Sequence, residues 1–435
     1  MVNVKKFEVE QASPHNQEGK WMDEHETWAT HNLAETCCAS VSLQDLIALA
    51  AVDADSATAT TDPDQRMAGL INYTTKQTYG SIRGSSTLRS RIADLYDTTA
   101  GTIGGANSVL ITNGAIQANF LTLYSLLCPG DHVIVQYPTY QQLYSVPESL
   151  GAEVSLWKWR PEIEGGDGSG LDVQELRGLI RENTRMIILN NPQNPTGAVL
   201  SRRTLEEIIS LARAHNITIH SDEVYRPLFH SLPESGPENG GNPPSILELG
   251  YGNVVATGSL SKAFSLAGIR VGWLASPRAE IIDACASSRH YTTISVSQVD
   301  DGVAAFALAK PTVVNLLRRN VELARRNLAL LAEFVDEFKH VVSWVKPAAG
   351  TTAFIRFRTK GGSGEPVDDV EFCKRLQERK GVMFVPGRRC FGDSVDFAGY
   401  VRVGFVPEHQ VMVDGLRALR EFMAEEYDSV PAAAV

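Results

Sequence analysis

Several reactive side chains fall directly after short apolar runs in this sequence, and their types suit a flat, phosphorylated heterocycle. In ITNGAIQANF (111–120) an apolar run gives way to a helical pattern at Asn113, Gly114, Ala115 and Ile116. Free backbone N–H groups and the positive end of a helix dipole make such a junction a phosphate seat. QYPTY (136–140) sets Tyr140 after a second run, where an aromatic face can stack on a flat ring. NNPQNPTG (190–197) forces a turn and presents the Asn194 amide rigidly to a ligand. SDEVY (221–225) places the Asp222 carboxylate at the end of an apolar run, with the Tyr225 phenol nearby. GSLSKAFSLAGIRVG (258–272) supplies Ser259, Ser261, Lys262 and Arg270.

A lysine beside two hydroxyls and an arginine is compatible with one more phosphate contact. Combined with a buried carboxylate it has a sharper meaning. A Schiff-base lysine needs its amine neutral at some point in the cycle, and desolvation or a neighbouring cation lowers its pKa. Pyridoxal 5'-phosphate (PLP) also requires an acidic partner that keeps the pyridine nitrogen protonated, so that the ring accepts electrons from Cα. Asp222 meets that need. The plainer alternatives are Asp222-Glu223 as a helix-capping pair, Lys262 as a surface lysine, Tyr137 and Tyr140 as core aromatics, and Arg402 in a structural ion pair. His220 reads as a packed strand residue, Cys37-Cys38 as small half-buried residues, and Trp157, Lys158 and Trp159 as sheet packing and surface.

The elements that must position these groups alternate between two periods. The runs VLIT (109–112), HVIVQ (132–136), RMIIL (185–189), ITIH (217–220), VVAT (254–257) and VGWLA (271–275) are short and β-rich, with helical patterns such as LEEIISLARAH (205–215) between them. Asp172 is a plausible cap for the helix after it. The alternation predicts βαβ units and a mostly parallel sheet covered by helices, whose ligands bind beyond the carboxyl ends of the strands. HSLPESGPENGGNPPS (230–245) predicts a surface loop near Asp222. After Lys310-Pro311 a long amphipathic stretch is followed by TAFIRF (352–357), VMFV (382–385) and YVRVGF (400–405), which predicts a smaller α+β domain. The expected division is an N-terminal segment (1–70) packed on the small domain, a large cofactor-binding domain (71–310) and the small domain (311–435). The tail VPAAAV is expected to fray.

At 435 residues, the chain is long enough for two or three units at roughly 150 residues each. Apolar residues at 43% and charged residues at 21% are ordinary globular usage. A net charge of −11 argues against a broad nucleic-acid or anionic-membrane footprint, so an anionic ligand needs a local site. The six cysteines (Cys37, Cys38, Cys128, Cys285, Cys373, Cys390) have no metal-ligand or CxxC spacing, and reduced thiols in a cytoplasmic enzyme are the expectation. No secretory h-region and no run of about 20 apolar residues occurs, so no membrane span is expected, and the cysteine spacing leaves no metal expected.

Taken in order, YGSIRGSSTLR (79–89), TNGA (112–115), YPTY (137–140), NPQNPTG (191–197), SDEVY, SLSK with Arg270 eight residues after the lysine, and YVRVGF resemble the class I/II aminotransferases, the fold-type I PLP enzymes. The resemblance spans nearly the whole chain. It implies that the Gly114, Ala115 and Ile116 amides with Ser259, Ser261 and Arg270 grip the phosphate, and that Tyr140 stacks on the ring. Asn194 and Tyr225 would bond the phenolic oxygen, Asp222 the ring nitrogen, and Lys262 would be Schiff-base lysine and proton shuttle. Arg402 would clamp the substrate α-carboxylate, with Asn194 beside it, and Tyr79 would reach the phosphate of a neighbouring subunit in a homodimer with shared active sites.

One departure bears on the substrate side. Where family members commonly carry a Gly-x-Pro-like segment, this chain has HNLAETCCASVSLQDL (31–46), which resembles the N-terminal part of capreomycidine synthase-like enzymes. The leading expectation is therefore amino transfer at Cα of an L-amino acid through Schiff-base and quinonoid intermediates. The alternative is β/γ-elimination, replacement or cyclisation on the same scaffold, as in capreomycidine synthase-like or aminocyclopropane-carboxylate synthase-like enzymes. A non-catalytic regulator is a third class, disfavoured because the first seventy residues lack a basic helical pair and because Lys262, Asp222 and Arg270 occur together.

Overall fold

The computed structural model describes residues 17–51, 70–96, 103–161, 169–232, 242–360 and 364–434. Its larger sheet has seven strands: β1 (Val109–Thr112), β2 (His132–Tyr137), β3 (Glu153–Lys158), β4 (Thr184–Asn190), β5 (Thr218–Asp222), β6 (Val254–Ser259) and β7 (Gly272–Ala275). The spatial order is β1-β7-β6-β5-β4-β2-β3. Every residue of β1, β2, β6 and β7 is buried, which is why they read as continuous apolar runs and not as alternating ones. The edge strand β3 had no apolar run to announce it: its exposure varies along EVSLWK, with Ser155 and Trp157 turned inward. Trp157 also donates its indole N–H to the Asp172 carbonyl at 2.8 Å, the sheet packing expected for it.

β7 is antiparallel to both β1 and β6, whereas β2 through β6 pair in parallel. A parallel neighbour needs a long crossover, and the chain between β6 and β7 is only residues 260–271. That short return keeps Ser259, Ser261, Lys262 and Arg270 together at one end of the sheet.

Helices cover the sheet as the periodicity predicts. Arg202–His215 buries Leu205, Ile208, Ile209, Leu211 and Ala212; Ser201 caps its start by accepting from the Thr204 N–H, and Asn216 ends it in the left-handed region at φ 52°. Asp172 caps its helix through the Gln174 N–H, as expected.

A second sheet contains β8 (Val342–Trp344), β9 (Thr352–Phe357), β10 (Val385–Pro386) and β11 (Tyr400–Gly404) in the antiparallel order β10-β11-β9-β8. VMFV is split: Val382–Met383 instead pairs in parallel with His31–Asn32, and Val385 joins β11. The helix Thr312–Glu337 runs between the two sheets' neighbourhoods, with Asn320 donating to the Ala263 carbonyl at 2.8 Å and Asn315 to that of Leu49 at 2.9 Å. The C-terminal tail is tied down, contrary to expectation: Asp368 N–H donates to Pro431 O at 2.8 Å and Ala433 N–H to Pro366 O at 2.9 Å. Backbone pairing outweighs the weak local preference of Pro-Ala-Ala. Of the loop 230–245, residues 233–241 lie outside the described residues, while Ser245 caps the turn Ile246–Glu248 and donates to Glu223 Oε2 at 2.7 Å. No described helix is long and apolar enough to cross a membrane.

Candidate active site

The carboxyl ends of β1, β4, β5 and β6 open onto a cavity of about 350 Å³, closed on the other side by Ala34–Cys37 and Arg402. Its floor is Asp222, the last residue of β5 and only 3% exposed. Asp222 Oδ2 accepts from Asn119 Nδ2 at 2.9 Å and Oδ1 from the Val224 N–H at 3.1 Å. Burial pushes this carboxyl up to about 6, against the opposing pull of those two bonds and of Lys262. A buried carboxylate with only neutral hydrogen-bond donors asks for a cation from the cavity, such as a protonated ring nitrogen. Glu223 next to it points elsewhere, accepting from Ser245 Oγ and the Ile246 N–H, so the two acids are not a capping pair.

Asn119 was not singled out in the sequence, yet it orients Asp222. Its Oδ1 accepts from Thr257 Oγ1 at 2.6 Å and lies 3.2 Å from His220 Nε2. Burial drives His220 down to about 3, and it is the packed strand residue expected. The available signal was spacing: Asn119 follows the Gly114 helix start by five residues, on a helix that buries Ala115, Ala118 and Asn119.

The phosphate seat is assembled from two chain segments. The helix Gly114–Leu126 starts at the end of β1, with Gly114 at φ 78°. A Cβ at Gly114 would stand 2.7 Å from an Arg270 guanidinium nitrogen, so glycine is what lets the arginine approach the helix start. Arg270 Nη1 lies 3.4 Å from Ser261 Oγ, and Ser259 Oγ donates to Ser261 Oγ at 2.7 Å. The Ile116 side chain is exposed, leaving its backbone as its contribution. Tyr140 and Tyr225 both line the cavity; Tyr225 is buried against Ala115 and Val224. Tyr137 is a core aromatic packed against Tyr144 and Phe397. Tyr79 is 80% exposed and lies outside this chain's own cavity.

Lys262 reaches into the cavity with Nζ 2.5 Å from Thr36 Oγ1, 3.5 Å from Cys37 Sγ and 3.9 Å from Glu35 Oε1. Burial lowers its pKa, but Cys37, Tyr225 and Glu35 together outweigh burial and the net direction is upward. The lowered amine pKa expected of a Schiff-base lysine is therefore absent while Lys262 stands as a free amine, because Cys37, Tyr225 and Glu35 around it compensate burial. Cys37 is a half-buried neighbour of that amine, its thiol pushed up to about 11 by burial first of all, while Cys38 is fully buried.

Arg402, on β11, is 1% exposed and spans the cavity's far wall. It donates to Asn194 Oδ1 at 3.3 Å and to the Ala34 carbonyl at 3.0 Å, both neutral oxygens, and stacks over Phe391. Asn194 is in turn fixed by its N–H to Asn190 Oδ1 at 2.7 Å. An aldehyde-bearing, phosphorylated pyridine fits this arrangement: amine, buried carboxylate, helix start with arginine, and aromatic wall converge on one cavity.

Comparisons with known proteins agree with the geometry. The family model for aminotransferase class I and II matches residues 46–419. Capreomycidine synthase of Streptomyces vinaceus is 30% identical over 318 residues, covering 73% of this chain and 75% of that protein. Arginine–pyruvate transaminase of Pseudomonas aeruginosa is 31% identical over 355 residues, covering 80% and 82%. Among solved structures, a PLP-dependent aminotransferase from Streptococcus suis superimposes with a TM-score of 0.80 at 36% identity, covering 97% of this chain and 98% of that one. With its seven-stranded, mostly parallel sheet and this cavity, the chain belongs to the aminotransferase class I and II family and is a fold-type I enzyme that uses pyridoxal 5'-phosphate.

Proposed function

We propose that this enzyme transfers the amino group of an L-amino acid to a keto acid, with Lys262 as the catalytic amine. The observation that carries the reading is the convergence of the Lys262 amine and the buried Asp222 carboxylate on one cavity bounded by a buried arginine, Arg402. When bound, PLP supplies an aldehyde for covalent attachment and a ring that takes up electrons from Cα. Asp222 holds the proton on the ring nitrogen. Ser259, Ser261, Arg270 and the Gly114, Ala115 and Ile116 amides hold the phosphate, Tyr140 stacks on the ring, and Asn194 and Tyr225 donate to its phenolic oxygen. Arg402 pairs with the substrate α-carboxylate through its planar fork, which orients Cα toward Lys262. Lys262 Nζ then takes the Cα proton. Tyr79, exposed on the single chain, is assigned to the phosphate of a second copy in a homodimer.

A second reading is elimination, replacement or cyclisation from the same proton abstraction. It is favoured by the 30% identity to capreomycidine synthase and by the acidic, thiol-bearing segment at residues 35–37. A single-turnover reaction of the PLP-loaded enzyme with a panel of L-amino acids, without keto acid, separates the two. Stoichiometric pyridoxamine phosphate and a keto acid are expected. Substrate loss with PLP regenerated would replace amino transfer by the second reading, and an unchanged cofactor spectrum across the panel would overturn both.

A further inference from the structure

We infer that Glu35 selects substrates whose side chain carries a cation, an ammonium or a guanidinium, and disfavours dicarboxylic amino acids. The inference rests on the Cα chemistry proposed above and adds the substrate class. Three cations and two carboxylates line the cavity among the described residues: Lys262, Arg270 and Arg402, with Asp222 and Glu35. The proposed chemistry uses Arg270 for the phosphate, Arg402 for the α-carboxylate, Asp222 for the ring and Lys262 for covalent attachment. Glu35 is the one of these five charged groups that the proposed chemistry does not use, and the described residues offer no further cavity cation to receive a second substrate carboxylate.

Glu35 is also built into place. Its Oε1 accepts the N–H groups of Thr36 at 2.6 Å and Cys37 at 2.8 Å, while Asn32 Oδ1 accepts from the Ala34 and Glu35 N–H groups at 3.0 and 3.1 Å. Gly404 N–H donates to Leu33 O at 2.7 Å, and Cys38 N–H donates to Lys262 O at 3.2 Å. The carboxylate is thus fixed between the Arg402 strand and the Lys262 loop, next to Ala34, whose carbonyl Arg402 holds. In the free enzyme Lys262 faces Glu35 at 3.9 Å. With its amine committed to the cofactor, Lys262 would no longer offer Glu35 an ammonium. The carboxylate then fronts the space that the substrate side chain enters, and a cation there restores the lost pairing while an anion is repelled.

The test compares near-isosteric pairs on the PLP-loaded enzyme, arginine against citrulline and lysine against norleucine, with glutamate as a third arm. The wild-type ratio of kcat/KM should favour the cationic member of at least one pair by roughly ten- to a hundredfold, the range for a charged hydrogen bond. Glu35→Gln keeps an oxygen for the Thr36 and Cys37 amides and should collapse that ratio toward one. Wild-type enzyme that takes citrulline, norleucine or glutamate as readily as the cations would overturn the inference without any variant. So would an unchanged ratio in Glu35→Gln. Failure of every amino acid to alter the cofactor spectrum would instead bring down the Cα chemistry itself.

Discussion

The two walls of the cavity are made of different kinds of chain. On one, Asp222, Ser259 and the Gly114 amide sit at the ends of fully or nearly fully buried strands, their positions set by sheet register. On the other, Ala34–Cys37 is irregular chain strung between Leu33, which is bonded to β11 and to Met383, and Cys38, which is bonded to the Lys262 loop. A rigid sheet suits a cofactor that is the same in every turnover. A short segment pinned at a few points is a part that can vary between relatives without disturbing that sheet, and it is where a substrate preference can be written.

The largest effect that tests this contrast falls where the walls meet. Lys262→Ala is expected to lose the visible absorbance of covalently held cofactor and to lower single-turnover rates by roughly four orders of magnitude, since nucleophile and proton carrier go together. Asp222→Asn, on the sheet wall, should keep the bond to Asn119 and lower kcat about a hundred- to a thousandfold. That is the scale of losing one preorganised electrostatic partner.

The same residue gives a pH prediction with a definite sign. The Asp222 carboxyl is raised from 3.8 to about 6 in the fold, so its contribution to apoenzyme stability is fully present below pH 3.8 and is lost as pH rises through about 6. The loss amounts to about 3 kcal/mol of buried-charge cost at pH 8. Asp222→Asn apoenzyme should therefore melt higher than wild type at pH 8 and similarly at pH 4, while PLP should raise the wild-type Tm more at pH 8 than at pH 5. An equal PLP effect at both pH values would mean that the ring nitrogen does not compensate this carboxylate.

The sheet wall was legible because its residues fall at the ends of strands that announce themselves by apolar content, or in the short return between two of them. Asp222, Lys262, Gly114 and Arg270 meet where those local rules put them. Asn119 was missed because a polar residue inside a helix reveals its inward face only once the helix is docked. Apart from Arg402, carried by YVRVGF, the other wall was illegible for a physical reason. Glu35 and Thr36 face Lys262 through contacts more than two hundred residues apart in sequence, set by pairing of His31–Asn32 with Val382–Met383. The split of VMFV that creates this pairing has no local cause, and β3 hid because an edge strand carries too few apolar residues to stand out.

Two smaller effects probe the wall opposite the sheet, from β11 and the segment packed on it. Arg402→Lys should raise KM with cofactor affinity retained, lowering kcat/KM by roughly ten- to a hundredfold, because an ammonium cannot reproduce a planar two-point contact with a carboxylate. Gly404→Ala should act more weakly and more selectively. A Cβ at Gly404 would stand 1.8 Å from the Glu35 carbonyl oxygen, a backbone atom that cannot rotate aside, so residues 34–37 must move off β11. The strain is expected to cost about 1–3 kcal/mol of stability, the range for overpacking. Because the displaced segment carries Glu35 and the Ala34 carbonyl but none of the proposed phosphate or ring contacts, substrate KM should rise several-fold while the PLP dissociation constant stays within about twofold. Fluorescence titration of apoenzyme with PLP, set beside steady-state KM, reads both quantities on one protein. Equal losses in the two would mean that the walls are one mechanical unit and that the segment helps to build the cofactor site as well.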